Sequence, residues 1–126
     1  MKDVKSSPKT ILVVEDTTAM RNIERMVLER AGYQVIEASN ATDAIKLLET
    51  QRPDLALLDI NLAGESGFDV VRAIRRIYPT PEIPVIILSG SRFETEIVQA
   101  HLLKPITKPA LLDNVRALLE PLTALA

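Results

Sequence analysis

The sequence predicts an α/β domain built around a parallel β-sheet. Short apolar runs, typical of buried strands, alternate with longer segments in which apolar residues recur at helical spacing. Four of these runs end directly at polar or charged side chains: Glu15 and Asp16 follow 11–14, Asp59 follows 55–58, Ser89 follows 85–88, and Lys104 follows 102–103. Ligands bind beyond the carboxyl ends of parallel strands, so we expect these side chains to converge on one site.

The first helix is expected directly after the first strand. Residues 17–31 place Met20, Ile23, Val27 and Ala31 at helical spacing. Gly32 predicts the end of this helix, because glycine adopts a left-handed conformation at little cost. A short strand at 35–38 follows, and further strands are predicted at 55–58, 85–88 and 102–103.

Three further helices are predicted from their terminal signals. Ser39 and Asn40 can cap the second, Ser66 with Asp69 resembles a capping signal for the third, and Lys108 with Pro109 begins the last. The second ends before Pro53, and the third ends at Tyr78 and Pro79. Their apolar faces contain Ala44, Leu47 and Leu48, then Val70, Val71, Ile74 and Ile77, and finally Leu111, Leu112, Val115, Leu118 and Leu119.

Length and composition fit one domain. The chain has 126 residues, and we expect a flexible leader at 1–9, a domain at 10–120 and a short tail at 121–126. It contains no cysteine, which excludes disulfides and thiolate metal sites. A formal net charge of −2 with scattered basic residues argues against direct nucleic-acid binding. No run approaches the length of a membrane span, so no membrane insertion and a cytoplasmic location are expected.

The residues at the strand ends form a set suited to phosphoryl chemistry. Glu15, Asp16 and Asp59 would make a cluster of three carboxylates, whose mutual repulsion favours a hard divalent cation such as Mg²⁺. Lys104 and Ser89 could neutralise and hydrogen-bond phosphoryl oxygens, and Asp59 is then the expected nucleophile. Each residue alone has a common structural role, Asp16 as a helix cap, Ser89 in a turn and Lys104 in solvent. Their joint placement at strand ends favours the functional interpretation.

Over residues 10–119 the chain resembles the receiver domains of two-component response regulators, of the kind represented by the chemotaxis regulator. The five signature positions of that family match Glu15, Asp16, Asp59, Ser89 and Lys104, and Gly67 also fits its pattern. The resemblance implies a flavodoxin-like, doubly wound, five-stranded parallel sheet of order 2-1-3-4-5. It also implies that Asp59 is phosphorylated by a sensor histidine kinase or a histidine phosphotransfer protein, and that the signal passes to a downstream protein partner.

The resemblance also implies a metal site and a limited catalytic role. Asp16, Asp59 and the backbone carbonyl of Asn61 would bind Mg²⁺, and Glu15 would act directly or through a metal-bound water. The chain would catalyse its own phosphorylation and dephosphorylation without being a conventional enzyme.

One departure from the family concerns the crossover before the last strand. Only fourteen residues separate Ser89 from Lys104, fewer than in familiar receivers, and a parallel crossover needs at least about ten to twelve. We therefore expect a shortened or missing fourth helix in residues 90–100. His101 stands where the family has a switch aromatic, so Ser89 and His101 are candidate switch residues in a conformational change of residues 90–103.

Two other functions remain open from the sequence. A receiver with a degenerate site would act as a phosphorylation-independent binding module. A hydrolase of the haloacid dehalogenase class would also form an aspartyl phosphate, but such enzymes commonly place a second acid two residues after the nucleophile. That position is Asn61 here.

Overall fold

The computed structural model describes residues 7–90 and 98–120, which form an α/β fold around one parallel sheet. The sheet contains β1 (Thr10–Val14), β2 (Gln34–Ala38), β3 (Leu55–Asp59), β6 (Val85–Ser89) and β7 (Ala100–Leu103). A short antiparallel hairpin, β4 (Asn61–Leu62) and β5 (Glu65–Ser66), follows β3. The order of the large sheet is β2-β1-β3-β6-β7, which confirms the predicted order 2-1-3-4-5 when the hairpin strands are not counted.

Four helices lie within the described residues, at α1 (Thr18–Arg30), α2 (Ala41–Thr50), α3 (Gly67–Ile77) and α4 (Lys108–Leu119). This number is consistent with a shortened fourth crossover helix, although residues 91–97 of that crossover lie outside the described residues. The same is true of the tail at 121–126 and most of the expected leader. None of the described helices is long and apolar enough to cross a membrane.

The capping signals read from the sequence are largely confirmed. The Asn40 side chain accepts a hydrogen bond from Asp43 N at 2.7 Å, and Ser66 Oγ accepts one from Phe68 N at 3.1 Å. Asp69 is different, because its carboxylate pairs with Arg72 rather than with the helix terminus. Each of these two caps fixes the first turn of a helix that follows a loop at the carboxyl edge of the sheet.

Alternating strand residues fill two apolar layers on opposite faces of the sheet. One layer contains buried residues of α2 and α3, and the other contains residues of α1 and α4. The strands β3 and β6 are buried along their whole length. The sheet is therefore covered on both faces, and ligands can reach the central strands only at their ends.

The apolar spacing in α1 does not identify its buried face. The two buried residues of α1 are Glu24 and Leu28, whereas Ile23 is 54% exposed and Val27 is half-buried. The predicted face was chosen from apolar residues alone, so an acidic side chain could not be assigned to the core. The buried face of α1 instead contains Glu24 together with Leu28.

Candidate functional site

Three carboxylates lie together at the carboxyl ends of β1 and β3. The two strands are adjacent and parallel with Val14 opposite Leu58, so the residues that follow them lie at the same level. Glu15, Asp16 and Asp59 each offer a carboxylate oxygen, and these oxygens lie within 4.8 Å of one another. Glu15 is 1% exposed and Asp59 is 4% exposed. The sheet register thus brings together the acids that the sequence predicted.

Lys104 lies in the same cluster. Its Nζ is 2.6 Å from Asp59 Oδ2 and 3.4 Å from Glu15 Oε1. Its backbone N donates a hydrogen bond to Ser89 O at 2.7 Å, which fixes the start of the loop after β7. The ammonium group is therefore placed by the β6–β7 pairing, and it partly compensates two nearly buried acids.

The charges of the cluster shift the pKa values of its members. Burial and the nearby charge of Asp59 raise the pKa of Glu15, and Lys104 only partly opposes this effect. Burial lowers the pKa of Lys104, but its hydrogen bond to Asp59 and the charge of Glu15 outweigh burial, so the net pKa is raised. The cluster contains more negative charge than one ammonium group neutralises.

Glu24 adds a fourth carboxyl group to this region, which was not predicted from the sequence. It is 4% exposed, and neither of its carboxylate oxygens has a hydrogen-bond partner. Burial and the negative charge of Glu15 raise its pKa to about 8. Met20, Glu24 and Leu28 are spaced four residues apart, so they share one face of α1, and this spacing was the signal that could have revealed it.

Asn61 and Gly67 bring the hairpin close to the Asp59 carboxylate. The Asn61 N–H donates to Asp59 Oδ1 at 3.0 Å, and the Gly67 N–H donates to Ile60 O at 2.9 Å. A side chain at Gly67 would overlap the backbone oxygen of Asp59, so only glycine allows this close approach. The predicted role of the Asn61 carbonyl as a metal ligand stays a prediction.

Ser89 lies at the end of β6, where it is buried, and its side chain is directed at His101. The Ser89 Oγ is 2.7 Å from His101 Nε2. His101 is half-buried on β7, and the two residues come from neighbouring strands. The structure therefore brings the two predicted switch residues into direct contact.

The donor set fits a magnesium ion. All the donors are oxygen atoms of carboxylates, and magnesium prefers such hard ligands. Glu15 and Asp59 are nearly buried and have like charge, so a cation between them would relieve their repulsion. Glu15, Asp16 and Asp59 are the side chains that could hold it.

The chain is similar to known receiver domains. Residues 11–120 match the family model described as the response regulator receiver domain. Protein PilH of Pseudomonas aeruginosa is 35% identical over 117 residues, which cover 86% of this chain and 96% of PilH. Transcriptional regulatory protein AfsQ1 of Streptomyces coelicolor is also 35% identical over 117 residues, covering 87% of this chain and 51% of AfsQ1. The chain therefore spans about half the length of AfsQ1.

Solved structures have the same fold. A CheY-like response regulator receiver domain from Methylobacillus flagellatus superposes with a TM-score of 0.81 at 26% identity, covering 89% of this chain and 99% of that one. The receiver domain of sensor histidine kinase PA1611 from Pseudomonas aeruginosa, with a magnesium ion in its active-site cleft, superposes with a TM-score of 0.80. That pair is 23% identical, and coverage is 90% of this chain and 99% of that one.

Proposed function

This chain belongs to the response regulator receiver domain family of two-component systems, and we propose that it accepts a phosphoryl group on Asp59. The donor is a sensor histidine kinase or a histidine phosphotransfer protein, and Mg²⁺ is the cofactor. The chain catalyses its own phosphorylation and dephosphorylation, and it transmits the signal to a downstream protein partner.

The observation that carries this proposal is the position of the Asp59 carboxylate. One of its oxygens is 2.6 Å from the Lys104 ammonium, and the other accepts the Asn61 N–H at 3.0 Å. These two bonds fix the rotation of the carboxylate, and Glu15 and Asp16 lie beside it. An oriented carboxylate with a cation and further acids around it suits attack on a phosphoryl group.

In the proposed transfer, an Asp59 oxygen forms a bond to phosphorus while the phosphorus–nitrogen bond of a donor phosphohistidine breaks. The leaving imidazole nitrogen takes up a proton. Lys104 then pairs with an oxygen of the transferred group, which replaces its present pairing with the Asp59 carboxylate.

Glu15, Asp16, Asp59 and the Asn61 carbonyl would hold the magnesium ion, with Glu15 acting directly or through water. When bound, the ion offsets the negative charge that accumulates as the phosphoryl group approaches the acids. Without it, three carboxylates and a phosphoryl group would share the single nearby ammonium of Lys104 among the described residues. This imbalance of charge supports the requirement for a divalent cation.

The signal would pass through Ser89 and His101. The Ser89 hydroxyl, now 2.7 Å from the His101 ring, would move to hydrogen-bond the phosphoryl group. His101 would then lose this contact and take a new position on β7. We expect the conformational change to concentrate in residues 90–103.

The two alternative functions have less support. All five signature residues are present, Glu15, Asp16 and Asp59 lie together, and Lys104 pairs with two of them, which a degenerate binding module would not need. A haloacid-dehalogenase-type hydrolase commonly needs an acid at the position of Asn61, and an amide cannot act as its acid or base.

Phosphoramidate tests the proposal, because it contains the same phosphorus–nitrogen bond as phosphohistidine. With Mg²⁺, the intact mass of the chain should increase by one phosphoryl group. Asp59→Asn should remove this increase, whereas Asp69→Asn, an exposed acid on α3, should be labelled like wild type. Undiminished labelling of Asp59→Asn would contradict the proposal.

A second assay separates a receiver from a hydrolase. The chain is incubated with p-nitrophenyl phosphate and Mg²⁺, and release of nitrophenol is followed. A receiver gives no sustained turnover of this ester, whereas repeated turnover that depends on Asp59 would favour the hydrolase.

A further inference from the structure

We propose that Glu65 is a positioning residue for the metal ligand at Asn61, through a bridge between the hairpin and the start of α2. The inference rests on the proposed function, because Asn61 is a ligand only if the site binds Mg²⁺. Among the described residues, Glu65 forms no hydrogen bond or ion pair with the acid cluster or with Lys104. It acts on the site only through the backbone of the hairpin.

The bridge consists of two hydrogen bonds to residues far away in sequence. Glu65 Oε1 accepts the Ala41 N–H at 2.6 Å, and Glu65 Oε2 accepts the Thr42 hydroxyl at 3.1 Å. The first N–H groups of a helix have no partner within the helix, and the positive end of the helix dipole favours a carboxylate there. The hydrogen bonds and the helix dipole therefore both favour the position of the Glu65 carboxylate at the start of α2.

The hairpin transmits this anchor to the site. Glu65 pairs with Leu62 across the hairpin, and Asn61 pairs with Ser66. The side chain of Leu62 is buried, but Asn61 is exposed, so packing around Asn61 does not fix the direction of its carbonyl. Holding Glu65 on α2 fixes the rotation of the hairpin about its base, and with it the peptide unit of Asn61.

The turn of the hairpin has a strained backbone that the Glu65 hydrogen bonds can support. Ala63 and Gly64 both have positive φ, at 44° and 92°. Ala63 has a side chain, so this conformation is strained and needs support from its surroundings. The Glu65 bridge, directly after the turn, supplies that support on one side.

The bridge makes a testable prediction for metal affinity. Binding of Mg²⁺ alone is measured by isothermal titration calorimetry, because the chain contains no tryptophan to report it by fluorescence. We expect Glu65→Ala to weaken binding about tenfold, as expected for a residue that orients a ligand. Glu65→Asp should weaken it similarly, because it keeps the charge but loses the reach. Glu65→Gln should stay close to wild type, because it keeps an acceptor oxygen.

Asn40→Ala is the matched control. Asn40 caps the same end of α2, and among the described residues its side-chain hydrogen bonds go to Ser39 and Asp43, with none to the hairpin. It should loosen the first turn of α2 but leave Mg²⁺ affinity unchanged. Amide hydrogen exchange provides the second readout: Glu65→Ala should accelerate exchange at Ala41 and Asn61, and Asn40→Ala should accelerate it only in α2.

The outcomes separate this inference from the proposed function. Wild-type chain that does not bind Mg²⁺ would overturn both. Normal wild-type binding with unchanged affinity in Glu65→Ala and Glu65→Asp would overturn only the bridge. If Glu65→Gln weakened Mg²⁺ binding as much as Glu65→Ala, the effect would come from the lost charge. If Asn40→Ala weakened it equally, the effect would come from the stability of α2. Either result would also overturn the proposed positioning role of Glu65.

Discussion

The candidate site has two parts that are held together by different forces. The acidic part, Glu15, Asp16, Asp59 and Lys104, is a set of charges in which acids outnumber the ammonium group. The hydroxyl part, Ser89 and His101, is joined by a 2.7 Å contact between a hydroxyl and an imidazole nitrogen. Removing one partner of a buried charge pair is strongly destabilising because the other charge is left uncompensated, whereas a hydrogen bond such as that between a hydroxyl and a ring nitrogen contributes about 1 kcal/mol.

Under the proposed function, this difference would give the two parts different tasks. The acidic part would bind the cation and the phosphoryl group through its charges. The hydroxyl part would exchange one hydrogen bond for another at little cost, so it would report that the phosphoryl group is present.

The largest expected effect concerns Glu24, which borders the acidic part. The pKa of Glu24 is about 8 in the folded chain, whereas an ordinary glutamate has a pKa of 4.5, so the unfolded chain loses this proton first as pH rises. The contribution of the protonated Glu24 carboxyl to the free energy of unfolding is complete below pH 4.5 and is lost progressively up to pH 8, on the order of 5 kcal/mol. Glu24→Gln and Glu24→Met should both flatten this decline in urea unfolding with EDTA present. A decline of the same slope in both variants would show that Glu24 does not contribute to it.

Asp16→Ala should weaken Mg²⁺ binding by about 10–100-fold, because the ion loses an anionic ligand while Lys104 stays in place. Calorimetric titration measures the change. Ser89→Ala is the comparison from the hydroxyl part, and it should bind Mg²⁺ like wild type. Equal affinities of Asp16→Ala and wild type would remove the metal site from the acidic part.

Lys104→Met should fold and should bind Mg²⁺ about tenfold more tightly, because it removes a cation that already occupies the Asp59 and Glu15 carboxylates. The rise of Tm on adding Mg²⁺ should therefore be larger than in wild type. Lys108→Met, an exposed lysine at the start of α4, is the control for loss of charge. A smaller Mg²⁺ response in Lys104→Met than in Lys108→Met would contradict the competition between Lys104 and the metal.

The smallest effect is expected within the hydroxyl part. A double-mutant cycle of Ser89→Ala and His101→Phe, measured by urea unfolding without phosphodonor, should give a coupling energy of about 1 kcal/mol. A coupling energy near zero would mean that the 2.7 Å contact contributes nothing to the unphosphorylated state. In that case, Ser89 and His101 would not form the stabilising hydrogen bond that phosphorylation is proposed to replace.

The sequence predicts the acidic part better than its surroundings. Glu15, Asp16 and Asp59 follow apolar runs, and the parallel register alone brings them together. The bridge from Glu65 was invisible, because its partners Ala41 and Thr42 lie in a different loop and no local pattern connects them. The prediction that Ile23 lies on the buried face of α1 was wrong, because a pattern of apolar residues cannot identify a buried acid such as Glu24.

The most direct test of phosphoryl acceptance by Asp59 is to identify the phosphorylated residue chemically. The chain is phosphorylated with acetyl phosphate and Mg²⁺, reduced with borohydride, digested with trypsin and sequenced by mass spectrometry. We expect conversion of aspartate to homoserine only at Asp59, within the tryptic peptide 47–72, which contains neither Asp16 nor Ser89. Reduction at Asp54 or Asp69 in that peptide, or at Asp16 elsewhere, would contradict it.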